Sequence, residues 1–396
     1  MLIFVSKYSE MNSEIINNLE ASMQRRMAAL PHRLRPFTTG YSQLPISFML
    51  TGSRGCGKST FMLHHSRGKR MLYFSADNPK VMTFDLYSFV SYIFMIGYEG
   101  VIIDEIHYAN NWSVHLKALY DDFPGKLLWV SDSSSLVLRR GGGDLSRRFV
   151  PIRMPLMSFR EFLFLQTGNL YPTYKLGDSV LPVEPSSEIL SQFVLYRQMG
   201  SRPFFSEGDF EARYMAIMDK VFNNDIPFFL PSINENNLRL MRAIVGSLAS
   251  SSIPRVQVSS LCADWGVGAE KLYQILFVME SIGMLKIVRY QNDNKARSTG
   301  AKMLFDDPCA YSVLKADEGT SREAYVVFCL SNAAYDIYAM RDETKGDYLA
   351  IKDGNALNIE VGGKSKKPKA SDYVARDNTD YPAGNAIPFW LLGMMW

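Results

Sequence analysis

The sequence predicts an α/β protein whose first half is a parallel, doubly wound sheet. Three observations carry this. Short apolar runs bounded by turn residues recur at 44–50 (LPISFML), 71–77 (MLYFSAD), 100–106 (GVIIDEI) and 126–132 (KLLWVSD). Helix-period segments separate them, and the first run ends in a glycine-rich turn. Strands that alternate with helices pair in parallel, because each crossover needs a helix to return the chain. At 396 residues the chain exceeds one hydrophobic core, and about two to four domains are expected.

Composition narrows the class further. The chain is 47% hydrophobic, 21% charged and 13% aromatic, ordinary for a globular protein and unlike a disordered one. Its 43 basic and 40 acidic residues leave a net charge of +3, too balanced for bulk charge to imply nucleic-acid binding. Cys56, Cys262, Cys309 and Cys329 are scattered without metal-ligand spacing, so no disulfide framework is expected and a reducing cytosol is the default. The N-terminus meets polar and acidic residues too early for a signal peptide, and no 18-residue uncharged apolar run occurs. The expectation is a soluble, cytoplasmic protein without a membrane partner.

Taken in order, residues 1–43 form an N-terminal helical segment, with Ile15, Ile16, Leu19, Met23 and Met27 at three- and four-residue spacing. Residues 44–157 hold the sheet. Residues 158–229 carry aromatic-rich helical patterns (SFREFLFL, FEARYMAIMDKVF) without a strong strand, and read as a helical lid. Residues 230–291 follow the layout of a winged helix-turn-helix: helix, turn at Gly266, second helix, hydrophobic strand. A polar, turn-rich linker (QNDNKARSTGAK) leads to a C-terminal α/β domain over 302–396.

The chemistry concentrates at Gly52-Ser53-Arg54-Gly55-Cys56-Gly57-Lys58-Ser59, followed by Thr60. This fits G-x-x-x-x-G-K-[ST] at every fixed position, after an expected strand and before an expected helix. Glycines let successive amides face phosphate oxygens, and the helix N-terminus adds its dipole. Lys58 would place a point charge on the β- and γ-phosphates, and the Ser59 hydroxyl would ligate Mg²⁺. Downstream, Val101-Ile102-Ile103 lead into Asp104 and Glu105. Asp104 would share the Mg²⁺, and Glu105 would orient or deprotonate the attacking water. The hydroxyls after the 126–132 strand, Ser133 and Ser134 with Ser131, lie where a γ-phosphate could be sensed. Arg139, Arg140, Arg147, Arg148, Arg153 and Arg160 are dense beyond them. Solvated or salt-bridged arginines are the commoner case, and Arg148 is the one expected to reach a phosphate across a subunit interface. His107 and His115 have no third histidine or cysteine nearby, so no metal site is expected there.

As a whole, the pattern resembles bacterial and archaeal AAA-type P-loop ATPases joined to a C-terminal domain similar to restriction endonucleases. The matching pieces are TGSRGCGKST, IIDEIHYANNWSVHLKALYD, VSDSSSLVL, LSRRFVPIRMPLMSFREFL, GSRP, KMLFDDP, TSREAYV, GDYLA and IEVGGKSK, in that order over most of the chain. The resemblance implies ATP and Mg²⁺ held by Lys58, Ser59, Asp104 and Glu105. Its usual Thr-Gly-Ser-Ser stands here as Ser131-Asp132-Ser133-Ser134, and its Gly-Arg as Arg147-Arg148. For the C-terminal domain it implies a second cluster: Glu323 on a helix, then Asp347 and Glu360 on strands. The lysine expected two residues after Glu360 is Gly362, so Lys364 would serve only if the glycine turn redirects it. Cleavage is therefore not expected.

The function expected is a Mg²⁺-dependent ATPase, ATP to ADP and phosphate, whose nucleotide state controls a C-terminal effector or docking domain. Two alternatives stand beside it: an ATP-switched nucleic-acid-binding protein with a degenerate nuclease domain, and a protein-interaction switch that binds ATP without hydrolysing it. The last 163 residues carry 19 basic and 19 acidic side chains, so DNA has little electrostatic support as a partner beside a protein or a second copy of the chain.

Overall fold

The computed structural model describes residues 2–134, 145–229, 233–250, 262–264, 266–293, 301–316, 318–367 and 370–396. Arg139 and Arg140, most of the first helix expected for the winged module (256–265) and most of the 291–302 linker lie outside the described residues. The chain divides into two compact units, Met1–Pro155 and Leu156–Trp396.

The first unit opens with helix α1 (Leu2–Ala28). Ile16, Leu19 and Met23 are buried along one face, as their spacing predicts. Arg26 lies over the Tyr73 ring at 5.2 Å, so the helical segment belongs to the sheet unit. The sheet comprises β1 (Ser47–Thr51), β2 (Met71–Ser75), β3 (Gly100–Asp104), β4 (Leu127–Asp132) and β5 (Val150–Arg153). Their order is β2-β3-β4-β1-β5, with every pairing parallel. Helices α2 (Lys58–His65), α3 (Leu86–Met95) and α4 (Trp112–Asp122) form part of the crossovers. β1 and β3 are buried throughout and apolar except for Ser47, Thr51 and Asp104, as expected of strands covered on both faces.

This order positions the site. β4 lies between β1 and β3, so the loop after β1, the acids after β3 and the hydroxyls after β4 emerge side by side. Ligands of open α/β sheets bind at such carboxyl ends, where the strand order reverses. β5 was not expected as a strand. Its sequence, VPIR, alternates poorly and holds Pro151, which an edge position tolerates because one side of the strand needs no ladder partner.

In the second unit, α5 (Phe159–Thr167) starts with a capping box: Ser158 accepts from the Glu161 amide, and the Glu161 carboxylate accepts from the Ser158 amide. α6 (Ser187–Met199) and α7 (Phe210–Lys220) follow, then α8 (Glu235–Ser250) and α9 (Ala269–Ser281). β6 (Leu285–Val288) pairs antiparallel with β7 (Lys302–Phe305) across the linker. α10 (Glu318–Asn332) precedes a five-stranded mixed sheet of order β12-β11-β10-β9-β8. These strands are β8 (Asp336–Ala339), β9 (Tyr348–Lys352), β10 (Asn355–Gly362), β11 (Tyr373–Arg376) and β12 (Ala386–Pro388). Phe159 of the helical region meets Phe193 edge-on, Phe193 stacks with Tyr196, and Tyr196 meets Tyr325 of α10 edge-on, so these segments share one aromatic core.

Candidate phosphate-binding loop and its carboxylates

Two left-handed glycines shape the loop after β1: Gly55 at φ 76° and Gly57 at φ 108°. A side chain at either would be strained, whereas glycine adopts these angles freely. Gly57 stands just before α2, so the turn runs directly into the helix N-terminus. Gly52 is needed for closeness rather than angle, since a Cβ there would sit 2.5 Å from the Met154 carbonyl oxygen. From behind, the fully buried Cys56 fills the loop, and Arg35 donates through Nη1 to the carbonyls of Cys56 (2.7 Å) and Pro155 (2.9 Å). Arg35 is 3% exposed and was not singled out by the sequence, where it reads as one cation among several before β1.

We expect Arg35→Ala to lower unfolding stability by about 2–4 kcal/mol, because buried carbonyls lose a charged donor. A denaturant melt measures it; a change under about 0.5 kcal/mol, ordinary for a surface substitution, would exclude the buttress role.

Lys58, 6% exposed, donates to the Gly52 and Ser53 carbonyls at 2.6 and 3.3 Å, which keeps its ammonium at the loop mouth. The Ser59 hydroxyl donates to Asp104 Oδ2 at 2.5 Å. Tyr73 donates to the same oxygen at 2.8 Å, and Ser131 donates to Asp104 Oδ1. Burial works to raise the Asp104 carboxyl, but the hydroxyl donors and Lys58 outweigh it and hold its pKa below the usual carboxylate value. A hydroxyl beside an ionised carboxylate at a helix N-terminus is the hard-oxygen donor set that Mg²⁺ takes. The residues present therefore fit the cation the motif implies.

Glu105 sits differently. Its backbone is left-handed at φ 50°, an uncommon conformation for a non-glycine residue, at the start of the short 3-10 turn Ile106–Tyr108. Its Oε1 accepts from Arg54 Nη1 at 2.9 Å and its Oε2 from the Ser133 hydroxyl at 3.1 Å. Burial raises its pKa, Lys58 and Arg54 pull it back, and Asp104 and Asp132 push it up. The net direction is upward, which makes its carboxylate a better proton acceptor than an ordinary one.

His107 and Asp132 complete the group. Both are wholly buried, with Nδ1 of His107 2.6 Å from Asp132 Oδ2 and the His107 amide donating to the same oxygen at 3.2 Å. Asp132 Oδ1 accepts from the Ser134 amide at 2.8 Å. Asp132 thus receives donors from the turns after β3 and β4 and ties them together. Glu105, His107 and Asp132 are also close enough to share a cation, with His107 Nδ1 already at hydrogen-bond distance from Asp132 Oδ2. The sequence set His107 aside for want of other metal ligands; the signal for its actual role was Asp132, standing where the resembling family has glycine.

The other expected residues fall as follows. Ser133 meets Glu105, and Ser134 contributes its amide to Asp132. Thr60 follows Ser59 in the first turn of α2. Arg148 donates through Nε and Nη2 to the Asp121 carboxylate at 2.9 and 2.8 Å, an intrachain pair at the surface. In the second unit, Glu323 pairs with Lys302 at 3.0 Å and accepts from the Tyr348 hydroxyl at 2.5 Å, while Asp347 Oδ2 accepts from the Val361 amide at 2.8 Å. The lysine expectation is corrected: Lys364 is exposed, and it is Lys366 that reaches Glu360 Oε1, at 2.7 Å. The turn closed by the Lys366 amide on the Gly363 carbonyl folds residue 366 back over the strand. A Cβ at Gly362 would lie 2.5 Å from the Lys366 stem, so this glycine makes room for the crossing side chain.

Comparison with known proteins agrees with this geometry. Residues 46–163 match the AAA domain family, a stretch that holds the parallel sheet and the glycine-rich loop after β1. The chain is 28% identical over 285 residues to an uncharacterized protein of Methanocaldococcus jannaschii, covering 65% of this chain and 60% of the relative, so it spans less than two thirds of that protein's length. A Walker-type ATPase of Pyrococcus abyssi is similar at 13% identity and a TM-score of 0.39, over 68% of this chain and 91% of that one. A RuvB structure from Thermotoga maritima follows at 13% identity and 0.30, over 69% and 89%. These two likenesses are too distant to carry a function across. No described helix is long and apolar enough to cross a membrane.

Proposed function

We propose that the first unit binds ATP with Mg²⁺ and hydrolyses it to ADP and phosphate. The observation that carries this is the convergence of Lys58, the Ser59 hydroxyl and the low-pKa carboxylate of Asp104 at one mouth, with the raised-pKa Glu105 beside them. Loop amides and Lys58 would hold the β- and γ-phosphates. Ser59 and Asp104 would hold Mg²⁺, which when bound neutralises charge on the phosphate oxygens. Glu105 would accept the proton of the attacking water, and Ser133 and the His107–Asp132 pair would orient it. Arg148 would serve a phosphate across an interface only after leaving Asp121. Steady-state phosphate release with and without Mg²⁺ tests the reading; turnover indifferent to the cation would contradict it.

We further read the second unit as the effector, acting by docking a protein partner. Glu323 and Glu360 each already hold a lysine and Asp347 accepts from the Val361 amide, which favours a structural role for the cluster over cation binding. Lys366→Ala is expected to cost about 3 kcal/mol at pH 8, because Glu360 stays buried without that cation. A urea melt of the variant beside the parent protein measures it. A change under about 0.5 kcal/mol, ordinary for a surface substitution, would show that the pair does not hold this turn. Stimulation of the ATPase by DNA would favour the nucleic-acid alternative, and tight ATP binding without turnover the non-hydrolysing switch.

A further inference from the structure

Arg54 stands at a variable position of the loop, yet its side chain is 11% exposed and its guanidinium is 2.9 Å from Glu105 Oε1. A base must have its carboxylate oxygen within about 2.6–3.2 Å of the water it deprotonates. Nη1 of Arg54 therefore occupies the shell that this water needs. The second oxygen of Glu105 is engaged as well, by Ser133, with His107 Nδ1 3.8 Å away. In this arrangement Glu105 is closed. Resting on the ATPase reading, we propose that Arg54 is a two-position residue of the phosphate site: paired with Glu105 it blocks the base, and moved onto the γ-phosphate it frees the base and neutralises phosphate charge.

The chemistry favours the transfer. Arg54 rides on the loop whose amides face the phosphates, so the terminal phosphate of a bound triphosphate comes within reach of the side chain without moving the backbone. A γ-phosphate carries more charge than one carboxylate and offers three oxygens to the planar fork of a guanidinium, which binds such groups bidentately. ADP lacks that phosphate and leaves the pair with Glu105 intact. Arg54 would then report which nucleotide is bound, and would open Glu105 only for the triphosphate. A fixed ion pair that merely braces the loop would support both nucleotides alike.

Equilibrium binding of AMP-PNP and of ADP, both with Mg²⁺, separates the two. Arg54→Ala is expected to weaken AMP-PNP by about tenfold or more and to leave ADP within about twofold. Glu105→Gln, which loosens the pair, is expected to tighten AMP-PNP by about threefold and ADP not at all, and that gain is expected to vanish in the Arg54→Ala background. Equal weakening of both nucleotides by Arg54→Ala, unchanged AMP-PNP binding, or a Glu105→Gln gain that persists without Arg54 would each overturn the proposal. Retained ADP binding shows that the variants are folded. Wild-type protein that binds neither nucleotide would remove the ATPase reading itself, and the proposal with it.

Discussion

Lys58→Ala is expected to weaken ATP binding by roughly 30-fold to several thousand-fold, the range that follows from about 2–5 kcal/mol for truncating one partner of a buried charge pair. Lys58 is buried, its ammonium is held at the mouth by two loop carbonyls, and it begins the helix that follows the loop. The fold should survive, because the hydrogen bonds of the lysine go to carbonyls of its own loop and alanine is a better helix former. Calorimetric titration with ATP and a thermal melt on the same sample check both halves. Undiminished affinity in a folded variant would mean that phosphate is bound elsewhere.

Glu105→Gln is expected to lower turnover by about 10²–10⁴ while ATP binding persists. Glutamine preserves the shape and the contact with Ser133 but cannot take a proton. The upward shift of the Glu105 carboxyl also predicts a pH dependence. The base works only when ionised, so kcat/KM falls as pH drops through a pKa above the ordinary carboxylate range, and this acid limb disappears in Glu105→Gln. Phosphate-release assays across pH measure it. Turnover unaffected by the substitution would favour a protein that binds ATP as a switch.

Much of this was legible in the sequence, for definite reasons. A phosphate loop is a local object: its glycines, lysine and serine are contiguous, and the angles at Gly55 and Gly57 are written into the residue type. The four first strands were legible because burial on both faces makes them apolar runs. β5 was hidden because an edge strand needs no such run and can hold a proline. Arg35, Tyr73 and the His107–Asp132 pair were hidden for another reason. Each acts through a contact that exists only once the order β2-β3-β4-β1-β5 is known, and single residues of these types carry no periodic signal. Lys366 lies between the two cases. Its distance from Glu360 hid it, while the glycine pair at 362–363 marked the place where the chain could fold back.

The central claim is that residues 52–59 cradle a triphosphate whose cation is shared by Ser59 and Asp104. A crystal structure with AMP-PNP and Mg²⁺ tests it most directly. The account predicts the β- and γ-phosphates against the loop amides and Lys58, with the metal between the Ser59 hydroxyl, the Asp104 carboxylate and the phosphate oxygens. Nucleotide bound elsewhere, or a metal that contacts neither Ser59 nor Asp104, would contradict it.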